Sequence, residues 1–279
     1  MVQKSYDNSP TVYLIPTPIG NMEDITLRAI NVLKKVEVLF TEDTRVTGIL
    51  LNNLGIKKKL ISNHKYNEET NFEKILTYLK NGYDVGIVTD RGTPIISDPG
   101  YGLAKFVIDN NFNLVCLPGA TALIPALAVS GLPADKFLFY GFLDSRQSKR
   151  RKELENIKMI KETIIFYESP HRIKETLTDM GNILGNRKIS ISREISKIYE
   201  EIYRGNIWEI NNELINIKGE FVIVVLGNNE ETIINKNKYL NEIDNLVKDG
   251  IKINDAIKKI SKKYNLNKSD VYKEYHENK

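Results

Sequence analysis

Over its first 140 residues the chain alternates short β-branched and apolar runs with amphipathic stretches of helical length. Strands paired in parallel need crossovers of a dozen or more residues, usually helical. The alternation therefore restricts this half to βαβ units around a parallel sheet. Strands are expected at 11–16, 36–42, 59–62, 85–90 and 113–118, with helices near 24–35, 46–54, 68–81 and 100–110. In the first helix Leu27, Ile30 and Leu33 keep the helical spacing, and Asp24 stands at the capping position.

After a helix-like segment at 119–131, further strands are expected at 136–142, 163–169, 188–193, 199–205 and 220–227. The last two are joined by 208–217, and close spacing without long crossovers marks this second sheet as partly antiparallel. From about Asn228 the composition turns to Asn, Lys and Glu, as in a linker, and 240–248, 254–264 and 268–276 read as short helices. The expected organisation is α/β in three parts. Residues 1–118 carry the parallel sheet, 119–228 the mixed sheet, and 229–279 a linker with a helical appendage.

Several classes are disfavoured. The single cysteine, Cys116, has no intrachain partner and sits in an apolar run that reads as a buried strand. Three histidines and one cysteine give no metal-ligand spacing, so no metal is expected. The polar start and the lack of 18 consecutive apolar residues point to a cytoplasmic protein without a membrane span. The formal charge of +4, from 40 basic and 36 acidic residues, permits a nucleic-acid partner without requiring one.

The sharp signals fall where expected strands end, which is where open α/β sheets bind ligands. Pro16-Thr-Pro-Ile-Gly-Asn21 is a rigid loop after the first strand, and no G-x-G-x-x-G accompanies it, so an ordinary dinucleotide site is unsupported. Thr89-Asp-Arg-Gly-Thr-Pro-Ile-Ile-Ser-Asp-Pro-Gly100 crowds polar side chains, prolines and glycines after the fourth strand. Its exposed backbone suits a small ligand, with Gly92 allowing close approach; a surface turn with a helix cap at Asp98 explains much of the same loop. Pro118-Gly-Ala-Thr-Ala122 repeats the strand-loop-helix arrangement.

In the second half, Phe166-Tyr-Glu-Ser-Pro-His-Arg172 and Ser192-Arg-Glu-Ile-Ser-Lys197 concentrate carboxylates, an imidazole and cations. Catalysis and solvated ion pairs with helix caps both account for them. Likewise Thr41-Glu-Asp-Thr-Arg45 is either a capped helix start or a polar cleft wall. One basic run stands out, Ser145-Arg-Gln-Ser-Lys-Arg-Arg-Lys152. Its cations suit either phosphate neutralisation or a solvated linker. The tail has a helix-turn-helix rhythm with a turn at Asn265-Leu-Asn267, fit to present Lys268 and Lys273 to RNA or to pack as a helical pair.

Together and in order, the blocks at 16–21, 42–45, 90–100, 118–122, 166–172 and 193–197 resemble the tetrapyrrole (corrin/porphyrin) methylase superfamily. Within it they resemble the 16S ribosomal RNA (cytidine-2′-O)-methyltransferases. The resemblance covers roughly residues 11–227 and weakens in the tail. It implies two α/β domains with S-adenosylmethionine in the cleft between them, in a homodimer that acts on 16S rRNA of the small ribosomal subunit.

It also implies site residues. Asp90, Gly92, Thr93, Pro94 and Ile95, with Thr121 and Ala122, would line the cofactor pocket; Tyr167 would close its other side, and Pro16 and Pro18 would shape it. The family commonly has alanine where Arg91 stands, which puts cofactor affinity in question and predicts an outward side chain, toward a phosphate or Asp98.

Ribose methylation is an in-line displacement helped by positioning and by a base that takes the hydroxyl proton. Glu168 is the first candidate for that base, with His171 and Glu194 as substitutes. Substrate phosphates are assigned to Arg146, Lys149, Arg150 and Arg151, continued by Arg45, Arg172, Arg193 and Lys197. Two other functions remain compatible: a tetrapyrrole-precursor C-methyltransferase, and a noncatalytic RNA-binding or ribosome-assembly protein.

Overall fold

The computed structural model describes residues 2–5, 7–64, 67–98, 100–228, 236–264, 266 and 268–277. Pro99, most of the expected linker and the turn positions Asn265 and Asn267 lie outside the described residues. Contacts divide the chain into two compact units, Met1–Asn228 and Asn229–Lys279.

The first half of the larger unit runs β1 (Thr11–Leu14), α1 (Leu27–Lys35), β2 (Val38–Thr41), α2 (Thr44–Asn53), β3 (Lys59–Ser62), α3 (Glu68–Lys80), β4 (Val85–Val88), α4 (Tyr101–Asp109) and β5 (Asn113–Cys116). These strands form one sheet in the order β3-β2-β4-β1-β5, and every pairing is parallel. Alternation along β1 sends Val12 and Leu14 to one face and Tyr13 to the other. The first face is covered by Ile75 and Leu79 of α3 and Leu103 and Val107 of α4; the second by Ala29, Val32 and Leu33 of α1 and Leu51 of α2. Burial on both faces gives the inner strands β1, β2 and β4 their continuous apolar character.

The second half runs α5 (Leu123–Ser130), β6 (Phe137–Phe142), α6 (Gln147–Ile157), β7 (Thr163–Glu168), α7 (Ile173–Leu184), β8 (Lys188–Arg193), β9 (Glu201–Asn206), α8 (Ile207–Glu213) and β10 (Phe221–Val225). Its sheet has the order β6-β7-β10-β8-β9. Only β6 and β7 pair in parallel; the remaining pairings are antiparallel, so the sheet is mixed. One face packs on α6, α7 and α8 through Leu154, Leu177, Met180 and Ile210. The other is covered by Ala126 and Leu127 of α5, against Ile165, Val222 and Val224.

Several local expectations change. Asp24 ends a short 3-10 turn, and the α1 cap is Thr26, whose side chain accepts from the Ala29 amide at 3.0 Å. Cys116 is exposed, because β5 is an edge strand and ends there. The basic run is neither a linker nor free surface throughout: it forms the first turns of α6. That helix buries Arg150, Leu154 and Ile157, so an arginine takes the first core position and breaks the apolar stripe that would have announced it.

The smaller unit contains α9 (Lys236–Lys248), α10 (Ile253–Tyr264) and α11 (Lys268–Glu277). They enclose a core of Tyr239, Ile243, Ala256, Ile257, Ile260, Val271 and Tyr275. The Tyr275 hydroxyl donates to Asp244 at 2.6 Å, and Lys258, Lys259 and Lys262 are exposed on α10. No helix among the described residues is long and apolar enough to cross a membrane.

Candidate active site

Where the chain returns to the middle of the parallel sheet, β4 lies beside β1, and the loops leaving both strands converge. Thr17 and Gly92 exchange backbone hydrogen bonds of 2.9 and 3.0 Å, which locks the proline loop to the loop after β4. Gly92 sits at φ 81°, a left-handed conformation that glycine adopts without strain. The loop after β5 closes on both. Thr93 Oγ1 donates to the Ala120 carbonyl at 3.1 Å, and a Cβ on Gly119 would lie 2.5 Å from Pro16.

These loops, with the ends of β6 and β7 and the start of β10, enclose a cavity of about 610 Å³. That is within the usual range for small-molecule sites. Its apolar wall includes Ile19, Val46, Ile96, Phe142 and Val222; Glu42, Asp90 and Asp98 bring carboxylates from the ends of β2 and β4 and from the loop before α4. Of the expected cofactor residues, Asp90, Gly92, Thr93, Thr121, Ala122 and Tyr167 line this cavity. Pro16 and Pro94 are buried, and the proline loop contributes Ile19 to the lining rather than its prolines.

The Thr89 hydroxyl donates to Glu42 Oε2 at 2.8 Å, and the Asp43 amide donates to Asp90 Oδ1 at 3.1 Å. Burial, reinforced by Glu42 and Asp90, pushes the Asp98 carboxyl up to about 6, against a Thr89 hydrogen bond that favours ionisation. Asp90 is also raised, chiefly by burial and then by Glu42. Tyr167 is raised mainly by burial, while hydrogen bonds with Thr121 and the first turn of α5 oppose the shift.

The expected bases differ in placement. Glu168 is 2% exposed and lines the cavity, but its oxygens are engaged. Oε1 accepts from the Ser169 amide at 2.7 Å and hydroxyl at 3.4 Å and pairs with Arg172 at 2.8 Å, while Oε2 accepts from Thr176 at 2.7 Å. His171 is exposed and is not part of the lining. Glu194 Oε1 accepts from Lys197 Nζ at 2.7 Å and from the Glu220 amide at 2.9 Å.

The expected substrate cations divide into two groups. Arg45 and Arg146 are exposed and held by matching clasps: each arginine amide donates to the aspartate two positions earlier at 2.8 Å, and each guanidinium returns to the same carboxylate. The clasps hold Asp43 and Asp144 at about 2, with the arginine hydrogen bonds as the main cause. Lys149 is exposed, and Arg151 is half exposed while pairing with Asp179 at 2.7 Å.

Arg150, Arg172 and Arg193 are drawn inward, which corrects their assignment to an RNA-facing surface. Arg150 is fully buried, 2.7 Å from Asp179. Arg172 serves Glu168, Ser169 and the Leu143 carbonyl. Arg193 donates to the Lys218 and Tyr199 carbonyls and pairs with Glu201. Lys197 is largely buried between Glu194 and Glu220.

Arg91 lines the cavity and pairs with Glu220 at 2.8 Å rather than with Asp98. Asp98 is not a helix cap either, since α4 begins after Gly100 and has no side-chain cap. Glu42 lines the cavity, as the cleft-wall reading of residues 41–45 expects, whereas Phe142, Glu220 and Val222 carry no sequence signal of their own. Their shared signal is position at a strand end, visible only once the strand order is known.

A parallel sheet whose strand-end loops meet a mixed sheet around one cavity defines a two-lobed α/β enzyme architecture. Residues 11–211 match the family of Tetrapyrrole (Corrin/Porphyrin) Methylases. The chain is 42% identical to Ribosomal RNA small subunit methyltransferase I of Bacillus subtilis, with 95% of this chain and 94% of that protein covered. It is equally 42% identical to the protein of the same name from Halalkalibacterium halodurans, over 99% of both. The chain therefore belongs to the tetrapyrrole methylase family.

Solved structures support the fold. A cobalt precorrin-4 methyltransferase superposes with a TM-score of 0.59 at 16% identity, covering 81% of this chain and 98% of that one. A uroporphyrin-III-C-methyltransferase from Thermus thermophilus gives 0.56 at 19%, covering 77% and 94%.

Proposed function

We propose that this protein uses S-adenosylmethionine to methylate the 2′-oxygen of a cytidine in the decoding region of 16S rRNA. The near-full-length identity to the rRNA small subunit methyltransferases carries the reading. The structural neighbours bear on the fold alone, so tetrapyrrole methylation has less support.

The cavity residues fit the cofactor. A sulfonium cation is favoured near Glu42, Asp90 and Asp98, and the apolar wall of Ile19, Val46 and Val222 suits an adenine. The Arg91 charge at the lining is offset by its pairing with Glu220. When bound, the cofactor supplies an electrophilic methyl group. Gly92, Thr93, Thr121, Ala122 and Tyr167 shape the pocket that would hold it, with Pro16 and Pro18 bracing the neighbouring loop. Glu168, fixed by Arg172 and Thr176, positions the end of β7.

In this reading residues 1–118 and 119–228 are the domains that close on the cofactor. The exposed Arg45, Arg146 and Lys149 meet rRNA phosphates. The protein works in the cytoplasm on the small subunit, as a homodimer; exposed Leu27 and Ile49, on α1 and α2 over the same face of the parallel sheet, supply apolar surface for a second copy. Mapping 2′-O-methylated nucleotides by mass in small-subunit rRNA from cells lacking the protein tests the function. Loss of one decoding-site ribose methyl is expected, and an unchanged map would overturn the assignment.

A further inference from the structure

Five carboxylates line the cavity: Glu42, Asp90, Asp98, Glu168 and Glu220. Four are committed to donors. Glu168 holds Arg172, Thr176 and Ser169; Glu220 holds Arg91 and Lys197; Asp90 accepts the Asp43 amide; Glu42 accepts from the Thr89 hydroxyl at 2.8 Å and the Asp90 amide at 3.4 Å. Asp98 has neither a cation nor a backbone amide as partner among the described residues, and its side chain caps no helix. Its side-chain partner is the Thr89 hydroxyl.

A hydroxyl has one proton to give and retains lone pairs to accept with. Thr89 donates to Asp98 while that carboxylate is ionised; once Asp98 takes a proton, the Thr89 proton stays on Glu42 and its oxygen accepts from Asp98. The arrangement is a short relay, Asp98 to Thr89 to Glu42, assembled from the loop before α4 and the ends of β4 and β2. The loop is held under local strain. Ile95 and Ser97 sit at φ 77° and 64°, unfavourable for non-glycine residues, and a Cβ on Gly100 would lie 2.9 Å from Ile95.

We propose that Asp98 is the general base of the methyl transfer, with Thr89 accepting the hydrogen bond of the newly protonated carboxyl and passing polarisation on to Glu42. The assignment rests on the reading of the cleft as a ribose 2′-O-methylation site. Asp98 takes the hydroxyl proton as the ribose oxygen bonds to the methyl carbon, while the carbon–sulfur electron pair stays with the departing sulfur. One positive and one negative charge disappear together, so the cleft is left with less charge to solvate. Asp98 returns its proton to water once product leaves.

The titratable groups facing Asp98 are Glu42 from β2, Asp90 after β4 and Tyr167 from β7; Arg91 spends its charge on Glu220. An isotope-edited carboxyl NMR titration of the cofactor-free protein should find Asp98 titrating near 6. Glu42→Gln should lower that midpoint and Thr89→Val should raise it. Single-turnover methyl transfer to small-subunit particles should rise with pH through an acid limb at or below that midpoint, because the bound sulfonium favours the ionised carboxylate.

Asp98→Asn should abolish that acid limb and slow transfer, measured at saturating S-adenosylmethionine, by about 10²-fold or more. Should Asp98→Asn not fold, Glu42→Gln must shift the acid limb to lower pH. Transfer by Asp98→Asn at the wild-type rate, a retained limb, an unmoved Glu42→Gln limb, or a midpoint near 4 would each overturn the assignment. Active wild type with undiminished Asp98→Asn ends only this assignment, whereas wild type that transfers nothing to rRNA ends the ribose reading with it.

Discussion

Arg91 Nη1 lies 2.8 Å from Glu220 Oε1, so the loop after the fourth strand of the parallel sheet is tied to the strand at the centre of the mixed sheet. Lys197 joins the same carboxylate at 2.9 Å. Both partners of the arginine pair are more than half exposed, and such pairs contribute about 0–1 kcal/mol. Arg91→Ala should therefore leave thermal stability nearly unchanged, as read by calorimetry. Affinity for S-adenosylmethionine should stay within about 3-fold of wild type, because Glu220 neutralises the guanidinium at the cavity lining. A loss of tenfold or more would place Arg91 in the cofactor site.

Asp98 also predicts a pH-dependent stability. Its carboxyl is raised to about 6 from 3.8, so between those values the folded state holds a proton that the unfolded state releases. Its contribution is fully present below about 3.8 and lost as pH rises through about 6. Asp98→Asn removes the penalty of a charged carboxylate in the cleft. The variant should melt above wild type at pH 7.5, and the advantage should vanish near pH 4.

Gly92 allows a different test. A side chain there would meet ordinary contacts at 3.4 Å from Ile19 and 3.7 Å from the Ala120 carbonyl, so space is not the obstacle. The φ of 81° is. Gly92→Ala should cost about 1–2 kcal/mol in denaturant unfolding. It should weaken cofactor binding as well, since the Thr17 bridge that shapes the cavity depends on that conformation.

The basic run should separate by residue. Arg150→Ala leaves Asp179 buried with one partner fewer, and such losses cost about 3–5 kcal/mol. Arg146→Ala with Lys149→Ala removes exposed charges and should not lower the melting temperature. Binding to small-subunit RNA in a filter assay should show the reverse order for correctly folded protein: weakened by the double variant, and unaffected by Arg150→Met if that variant folds.

The inner strands of the parallel sheet are legible because their residues are buried on both faces. Val38–Thr41 and Val85–Val88 read as apolar runs for that reason. Helix α7 was also legible in principle, with Ile173, Leu177, Met180 and Leu184 at helical spacing. Helix α6 was not, because Arg150 occupies a core position that hydrophobic periodicity scores as surface. The loop containing Asp98 was visible as a crowded polar segment, but its carboxyl looked like a cap. What distinguishes it is the company of Glu42 and Thr89, from strands joined only by the sheet order. The clasped pairs Asp43–Arg45 and Asp144–Arg146 are local and identical in spacing, yet their likeness emerges only when both are seen to start helices.

Strand β10 closes the second sheet from its centre, between β7 and β8, although it is the last strand of the larger unit to be made. On the ribosome, the parallel sheet can form as soon as residue 116 has emerged, since all its strands precede that point. The mixed sheet must wait for residues 221–225, and until they arrive β7 and β8 have unpaired inner edges. Glu220 and Val222 arrive with the same strand, so the cavity is completed only at the end of synthesis of this unit. A nascent chain stalled before β10 would carry a finished first lobe and no pocket, and its exposed edges would be natural targets for chaperones.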